Sequence, residues 1–111
     1  MNIYSYKGVT FATRIFKYIR MNMDEAAYML RAISNETRLK VIDALRNIEE
    51  LTVSELVEGI GCEQSLLSHH LTDMRAKGIL NCRKEGKNCF YSLKNKQITQ
   101  ILDCLQSCNC N

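Results

Sequence analysis

The chain contains no proline, no low-complexity stretch and no internal repeat. With no Pro-, Gly- or Ser-rich linker to divide it, its 111 residues are expected to form one domain. It also lacks any apolar run long enough to span a membrane. Near the amino end Phe11, Ile15, Phe16, Tyr18 and Ile19 are interrupted by Arg14 and Lys17, and no small-residue cleavage site follows, which argues against a secretory signal. Histidine is scarce, and no nucleophile has a plausible base and orienting group beside it, so an enzyme is not expected. A cytoplasmic protein is the simplest reading, and there six cysteines serve as reduced thiols, metal ligands or redox sensors rather than structural staples.

The formal charge is only +3, so the distribution of charge matters more than its total. Arg75, Lys77, Arg83, Lys84 and Lys87 gather in one short stretch, whereas Asp24, Glu25, Glu49, Glu50, Glu55 and Glu58 lie earlier. Residues 1–22 read as an extension or an extra amphipathic helix over Thr10 to Met21, with Met21 and Met23 as alternative starts. Residues 23–111 read as the functional domain. Within it, Asp24 to Ile33 form a helix with Ala27, Leu30 and Ile33 inward. Ser34 or Asn35 caps a second helix carrying Leu39, Ile42 and Leu45. A monomer this small buries a limited fraction of its surface, which a helical dimer would relieve.

Thr52-Val53-Ser54-Glu55 has capping-box spacing and opens a short helix that meets Gly59-Ile60-Gly61. The next helix, from Gln64, has Leu67, Leu71 and Met74 on one face and Gln64, Ser65, Ser68, His69, Thr72 and Arg75 on the other. Two helices joined by a glycine-containing turn make a helix-turn-helix, and the polar face of the second can meet base edges. Gln64 suits a bidentate contact to adenine, while Ser68 and His69 can donate or accept. The competing reading is a merely solvated polar face. Ile79 to Lys84 and Lys87 to Leu93 then read as two antiparallel strands about Glu85-Gly86, a basic wing in which Arg83, Lys84 and Lys87 suit phosphate contact. A last helix from about Asn95 to Ser107 carries the apolar stripe Ile98, Ile101, Leu102 and Leu105, which needs a partner. The fold expected is mainly α with a small β-hairpin.

The cysteines fall into three sets. Cys62 stands alone in the turn and reads as a small core residue. Cys82 and Cys89 are directly opposed if Glu85-Gly86 is a two-residue loop, which makes either a cross-strand redox pair or two small inward residues. Cys104 and Cys108 lie one helical turn apart, with Cys110 close behind. Three thiolates suit trivalent arsenic or antimony, and pairs from two subunits suit zinc or cadmium; the alternative is incidental tail thiols.

From Leu30 to Leu93 the chain resembles the ArsR/SmtB family of winged-helix transcriptional repressors, which respond to metals, metalloids or thiol chemistry. The resemblance is carried by Leu30-Arg31-Ala32-Ile33-Ser34-Asn35-Glu36-Thr37-Arg38-Leu39, by Thr52-Val53-Ser54-Glu55-Leu56, by Ser68-His69-His70-Leu71-Thr72-Asp73-Met74-Arg75 and by Arg83-Lys84-Glu85-Gly86-Lys87-Asn88-Cys89-Phe90-Tyr91-Ser92-Leu93. It implies a homodimer joined through the first and last helices, binding double-stranded operator DNA with no cofactor. His70 matches the family's Ser-x-His-Leu histidine, a local packing or hydrogen-bonding residue. Glu63 departs from the pattern, because a serine or similar capping group often precedes the glutamine. The family's metal-sensing cysteine pair before the recognition helix would fall at Thr52 and Ser54, and no cysteine lies near Asp43, where sulfur-reactive members need one. What remains resembles arsenic-sensing members with thiols near the carboxyl terminus. The expectation is a repressor released by As(III), Sb(III), Cd or Zn at Cys104, Cys108 and Cys110. The alternatives are a thiol redox-sensing repressor, and a thiol enzyme or metal carrier without DNA function.

Overall fold

A computed structural model describes residues 22–108. The extra helix suggested over Thr10 to Met21, and Cys110, lie outside the described residues. Helix α1 (Met23–Ile33) starts at a capping box: Asn22 Oδ1 accepts from the Glu25 amide and Glu25 Oε1 accepts from the Asn22 amide. Helix α2 (Glu36–Ala44) is capped by Asn35 rather than Ser34, through its side-chain oxygen on the Arg38 amide. The expected Thr52/Glu55 capping box opens α3 (Val53–Ile60). A turn through Gly61, whose amide donates to the Val57 carbonyl, leads to α4 (Gln64–Ala76). Strands β2 (Leu80–Glu85) and β3 (Asn88–Leu93), a 3₁₀ turn (Lys96–Ile98) and α5 (Thr99–Ser107) complete the order.

One strand was not foreseen. Leu51–Thr52 forms β1, which pairs antiparallel with β3, so the sheet has three strands in the order β1-β3-β2. Two residues are too few to show an alternating pattern, and only the pairing of Leu51 with Tyr91 and Thr52 with Phe90 makes them a strand.

The junction between α4 and the sheet is a Schellman turn. The Ile79 amide donates to the Met74 carbonyl and the Gly78 amide to that of Arg75, satisfying carbonyls that the helix end leaves open. Gly78 sits at φ 83, a left-handed conformation that costs a side-chain-bearing residue about 1–2 kcal/mol. Met74 and Ile79, the pair expected to touch across such a turn, are both buried.

The core collects Ala32 and Ile33 from α1, Val41, Ile42 and Leu45 from α2 and its end, Leu56 from α3, and Leu67, Leu71 and Met74 from α4. Leu80, Tyr91 and Leu93 of the sheet and Leu102 of α5 close it. Leu30 is not inward as expected: it is 52% exposed. Steps of three residues drift back by roughly 60° each on a helix, so the inward line runs from the half-buried Ala26 and Met29 to the buried Ile33, spaced three then four, and leaves Leu30 outside it. Of the last helix's stripe, Leu102 is buried, Ile98 and Ile101 are half-buried, and Leu105 is 59% exposed. Ala26, Met29 and Leu30 of α1 face Ile98 and Ile101 across an apolar groove of about 340 Å³. Arg46, bonded to Asp103 and 3.3 Å from Asp43, ties α5 to the end of α2.

Truncating Leu71 to alanine, at the fully buried centre of α4, should cost about 3 kcal/mol of unfolding free energy in urea melts. Leu105→Ala should cost much less in dilute, monomeric protein.

Candidate nucleic-acid interface

Helix α4 presents its two faces as the spacing requires. At about 100° per residue, Gln64, Ser65, Ser68, His69, Thr72 and Arg75 fall within an arc of roughly 140°. All are exposed except the half-buried Ser68, while Leu67, Leu71 and Met74 on the other side are fully buried. The amino end begins at Glu63, which makes no side-chain cap; its carboxylate instead accepts from Ser65 Oγ at 3.1 Å. The first-turn amides of α4 therefore keep free hydrogen-bonding capacity beside Gln64 and Ser65.

The flank of α4 between these faces is fastened by a polar node centred on Arg38. Arg38 of α2 donates from Nε to His70 Nδ1 (2.8 Å) and from Nη1 to the Ala32 carbonyl (2.9 Å), and Nη1 lies 2.8 Å from Asp73 Oδ2. Lys77 Nζ reaches the same Asp73 oxygen at 2.7 Å. One guanidinium thus joins the end of α1, the first turn of α2 and the middle of α4. His70 takes the local hydrogen-bonding role that the resemblance implied. It escaped a fuller reading because Arg38 and His70 are 32 positions apart, where no local spacing rule connects them.

The node sets protonation states. Burial, then the positive charge of Arg38, holds His70 below its ordinary value of 6.5, so the imidazole is neutral and accepts at Nδ1. Asp73 is lowered by its hydrogen bond to Lys77 and then by that to Arg38.

The wing differs in register from the expectation. Glu85 pairs with Asn88, Lys84 with Cys89, Arg83 with Phe90 and Cys82 with Tyr91, so the loop is Gly86-Lys87 rather than Glu85-Gly86. Gly86, at φ 64, occupies the first loop position, where a two-residue hairpin matched to sheet twist needs positive φ. Cys82 and Cys89 are consequently diagonal, not directly opposed. They remain on one face of the sheet, and the structure joins their sulfurs as a disulfide across a Cα separation of 5.9 Å. Cys62 is half-buried against the core with a free thiol.

The basic residues do not act alike. Arg83 makes a two-pronged ion pair with Glu50 (2.8–3.2 Å) and its guanidinium lies 4.6 Å from the Phe90 ring centre. The hydrogen bond to Arg83 lowers Glu50 below the usual carboxylate range. Arg83, though itself exposed, is thus engaged within the protein, whereas the exposed Lys84 and Lys87 at the wing tip and Arg75 on α4 make no ion pair among the described residues. Cys104 on α5 and Cys108 at its carboxyl-terminal cap are both exposed, and the Cys108 amide donates to the Cys104 carbonyl. Among the described residues, no three His, Cys, Asp or Glu side chains converge to hold a metal ion.

Residues 35–81 match the model of the bacterial regulatory protein, arsR family. The transcriptional activator HlyU of Vibrio cholerae is 35% identical over 89 residues, 80% of this chain and 82% of that protein. Its solved structure superposes with a TM-score of 0.70 at 33% identity, covering 84% of this chain and 100% of that one. The cadmium resistance transcriptional regulatory protein CadC of Listeria innocua is 32% identical over 73 residues, 66% of this chain and 61% of CadC. A homodimeric winged helix-turn-helix DNA-binding domain of Mycobacterium bovis shares the fold, with a TM-score of 0.65 at 20% identity over 90% of this chain and 86% of that one.

Stability should depend on pH through the node. A histidine whose folded value is depressed contributes stability that is complete above about 6.5 and is lost as pH falls through the folded value. Urea unfolding free energy should therefore decline below pH 6.5, and His70→Gln should remove that step. The separate fall due to Asp73 and Glu50, both depressed, should remain at more acidic pH. An unchanged profile in His70→Gln would show that the imidazole is not held neutral by the fold.

Proposed function

The chain belongs to the arsR family of bacterial transcriptional regulators, and on that premise we propose that it is a homodimeric repressor released from its operator by a thiophilic ion. The observation that carries the DNA-binding part is the outward polar face of α4, fastened along its flank by Arg38 and flanked by the free lysines of the wing. Gln64, Ser65, Ser68, His69 and Thr72 meet base edges in the major groove, and Arg75, Lys84 and Lys87 meet phosphates. Arg83 acts more as a prop for the wing than as a phosphate contact, because Glu50 already holds its guanidinium.

Residues 23–111 form the regulatory domain in this reading, with 1–22 as an extension to it, and it works in the cytoplasm. Dimerisation uses the apolar surfaces left open on α1 and α5, where Met23, Leu30 and Leu105 are each about half exposed or more. A two-fold dimer presents two copies of α4, so the operator is an imperfect inverted repeat.

The inducer binds at Cys104, Cys108 and Cys110. The first two have the one-turn spacing at which side chains share an ion, both are exposed, and a soft thiolate set suits arsenic(III), antimony(III) or cadmium better than a hard cation. The similarity to a cadmium-resistance regulator points in the same direction. Drawing the three thiols together reshapes the end of α5, and with it the spacing of the two recognition helices.

The test is anisotropy of the protein on a duplex from its own promoter, titrated with arsenite, antimonite, cadmium and zinc. Gln64→Ala and His69→Ala should relax base preference. Lys84→Ala and Lys87→Ala should each weaken all duplexes alike and reduce the salt slope by about one. A monomer on an asymmetric half-site would overturn the dimeric arrangement.

Cys104→Ser and Cys108→Ser should leave DNA binding nearly unchanged and impair release, with Cys110→Ser equal or weaker in effect. Release of a triple serine variant at the parental arsenite concentration would remove the tail as sensor.

A further inference from the structure

The wing carries a second pair of thiols that the tail site does not use. Cys82 on β2 and Cys89 on β3 lie on the same sheet face, diagonal in register, with Cα atoms 5.9 Å apart, inside the range that a disulfide spans without backbone movement. Both are half-buried at the margin of the core, so small oxidants and reductants can reach them. Their position in the wing matters most. Cys89 pairs directly with Lys84, and Lys87 lies two residues before it in the loop. The two free lysines of the wing are therefore mounted on the segment that a bond between Cys82 and Cys89 closes.

The base of the wing is already fixed by other means: Arg83 is clamped by Glu50 and lies over Phe90, and β1 covers the far side of β3. Among the described residues the tip has, besides its strand pairing, only the long Arg83–Glu85 ion pair at 3.7 Å. Residues 83–88 are all exposed, and the outermost strand pair is Glu85 with Asn88. A hairpin end with solvent-exposed pairing frays readily, and a frayed end must be ordered again before its lysines can meet phosphates. We propose that Cys82 and Cys89 are a reversible dithiol–disulfide site that tightens DNA binding when oxidised, by holding the wing tip in its binding conformation. The proposal rests on the DNA-binding reading above and is independent of the tail thiols.

The chemistry needs a peroxide as oxidant. One thiolate attacks a peroxide oxygen, the O–O bond breaks and hydroxide leaves, giving a sulfenic acid. The second thiolate then displaces hydroxide from that sulfur, so that an S–S bond replaces the S–O bond. Protonation makes the net change two thiols and one peroxide to one disulfide and two waters. A dithiol reductant reverses it by two exchange steps.

The experiment uses the full chain carrying Cys104→Ser, Cys108→Ser and Cys110→Ser, so that the tail cannot respond. It is treated with hydrogen peroxide and then with dithiothreitol, and binding to promoter and unrelated duplexes is followed across a salt series. Oxidation should remove two hydrogens, yield a linked Cys82–Cys89 peptide after digestion, and strengthen binding to both duplexes about threefold. Reduction should restore the starting affinity.

Adding Cys82→Ser to the same background should abolish the response while leaving the reduced-state affinity in place. Because the unsubstituted wing is compared in its own two states, the result does not depend on that variant folding. Absence of the linked peptide, or a linked peptide with equal or weaker DNA binding, would overturn the proposal while leaving the regulator reading intact. Failure of both redox states to bind any duplex would overturn the regulator reading and this one together.

Discussion

Everything on the DNA-facing side depends on how α4 is held. A recognition helix must keep one face unsatisfied until DNA arrives, so its position has to be set from its other sides. The leucines behind it supply most of the free energy, but apolar contact is non-directional and leaves rotation about the helix axis weakly specified. The Arg38 guanidinium supplies direction. Its planar fork meets His70 and Asp73 one turn apart on α4 and the Ala32 carbonyl at the end of α1, so the orientation of α4 is referred to two other helices at once. The pair with Asp73 is only 12% and 28% exposed on its two sides, and removing either partner leaves a poorly solvated charge.

The same division between a fixed base and a free tip recurs in the wing. Glu50 neutralises Arg83 at the base, and Lys96 does the same for Glu49 beside it. These pairs tie the segment after α2 to the sheet and to the 3₁₀ turn. Among the described residues they also leave Lys84 and Lys87, exposed at the wing tip, as the wing's unpaired positive charge. A total charge of only +3 is therefore compatible with phosphate binding, since several of the acidic residues are engaged in internal ties.

On the opposite side, α1 and α5 leave apolar surface uncovered. Leu30 and Leu105 are exposed there and an apolar groove lies between the helices, surface that a small domain short of core leaves available for further burial. Because α5 also carries Cys104 and ends at Cys108, the exposed thiols sit on the same helix that borders this apolar surface.

Periodicity and capping chemistry, which act over three or four residues, determined the helices and their caps, the two faces of α4 and the existence of a wing. The Thr52/Glu55 box, the apolar line Leu67-Leu71-Met74 and the polar set from Gln64 to Arg75 were all legible for that reason. The four ordered motifs were enough to place the chain in its family. What only the tertiary structure decided involves residues far apart in sequence, or one choice of register. Arg38 finds His70 and Asp73, and Glu50 finds Arg83, across more than thirty residues. Leu51 and Thr52 become a strand only when β3 arrives. The loop moved by one residue because the positive φ of Gly86 belongs at the first loop position, and that shift changed every cross-strand partner in the wing and made Cys82 and Cys89 diagonal. Local preferences state what each segment can be; pairing and packing choose among equivalent registers and partners, because burial and hydrogen bonding are settled only when the distant segment is in place.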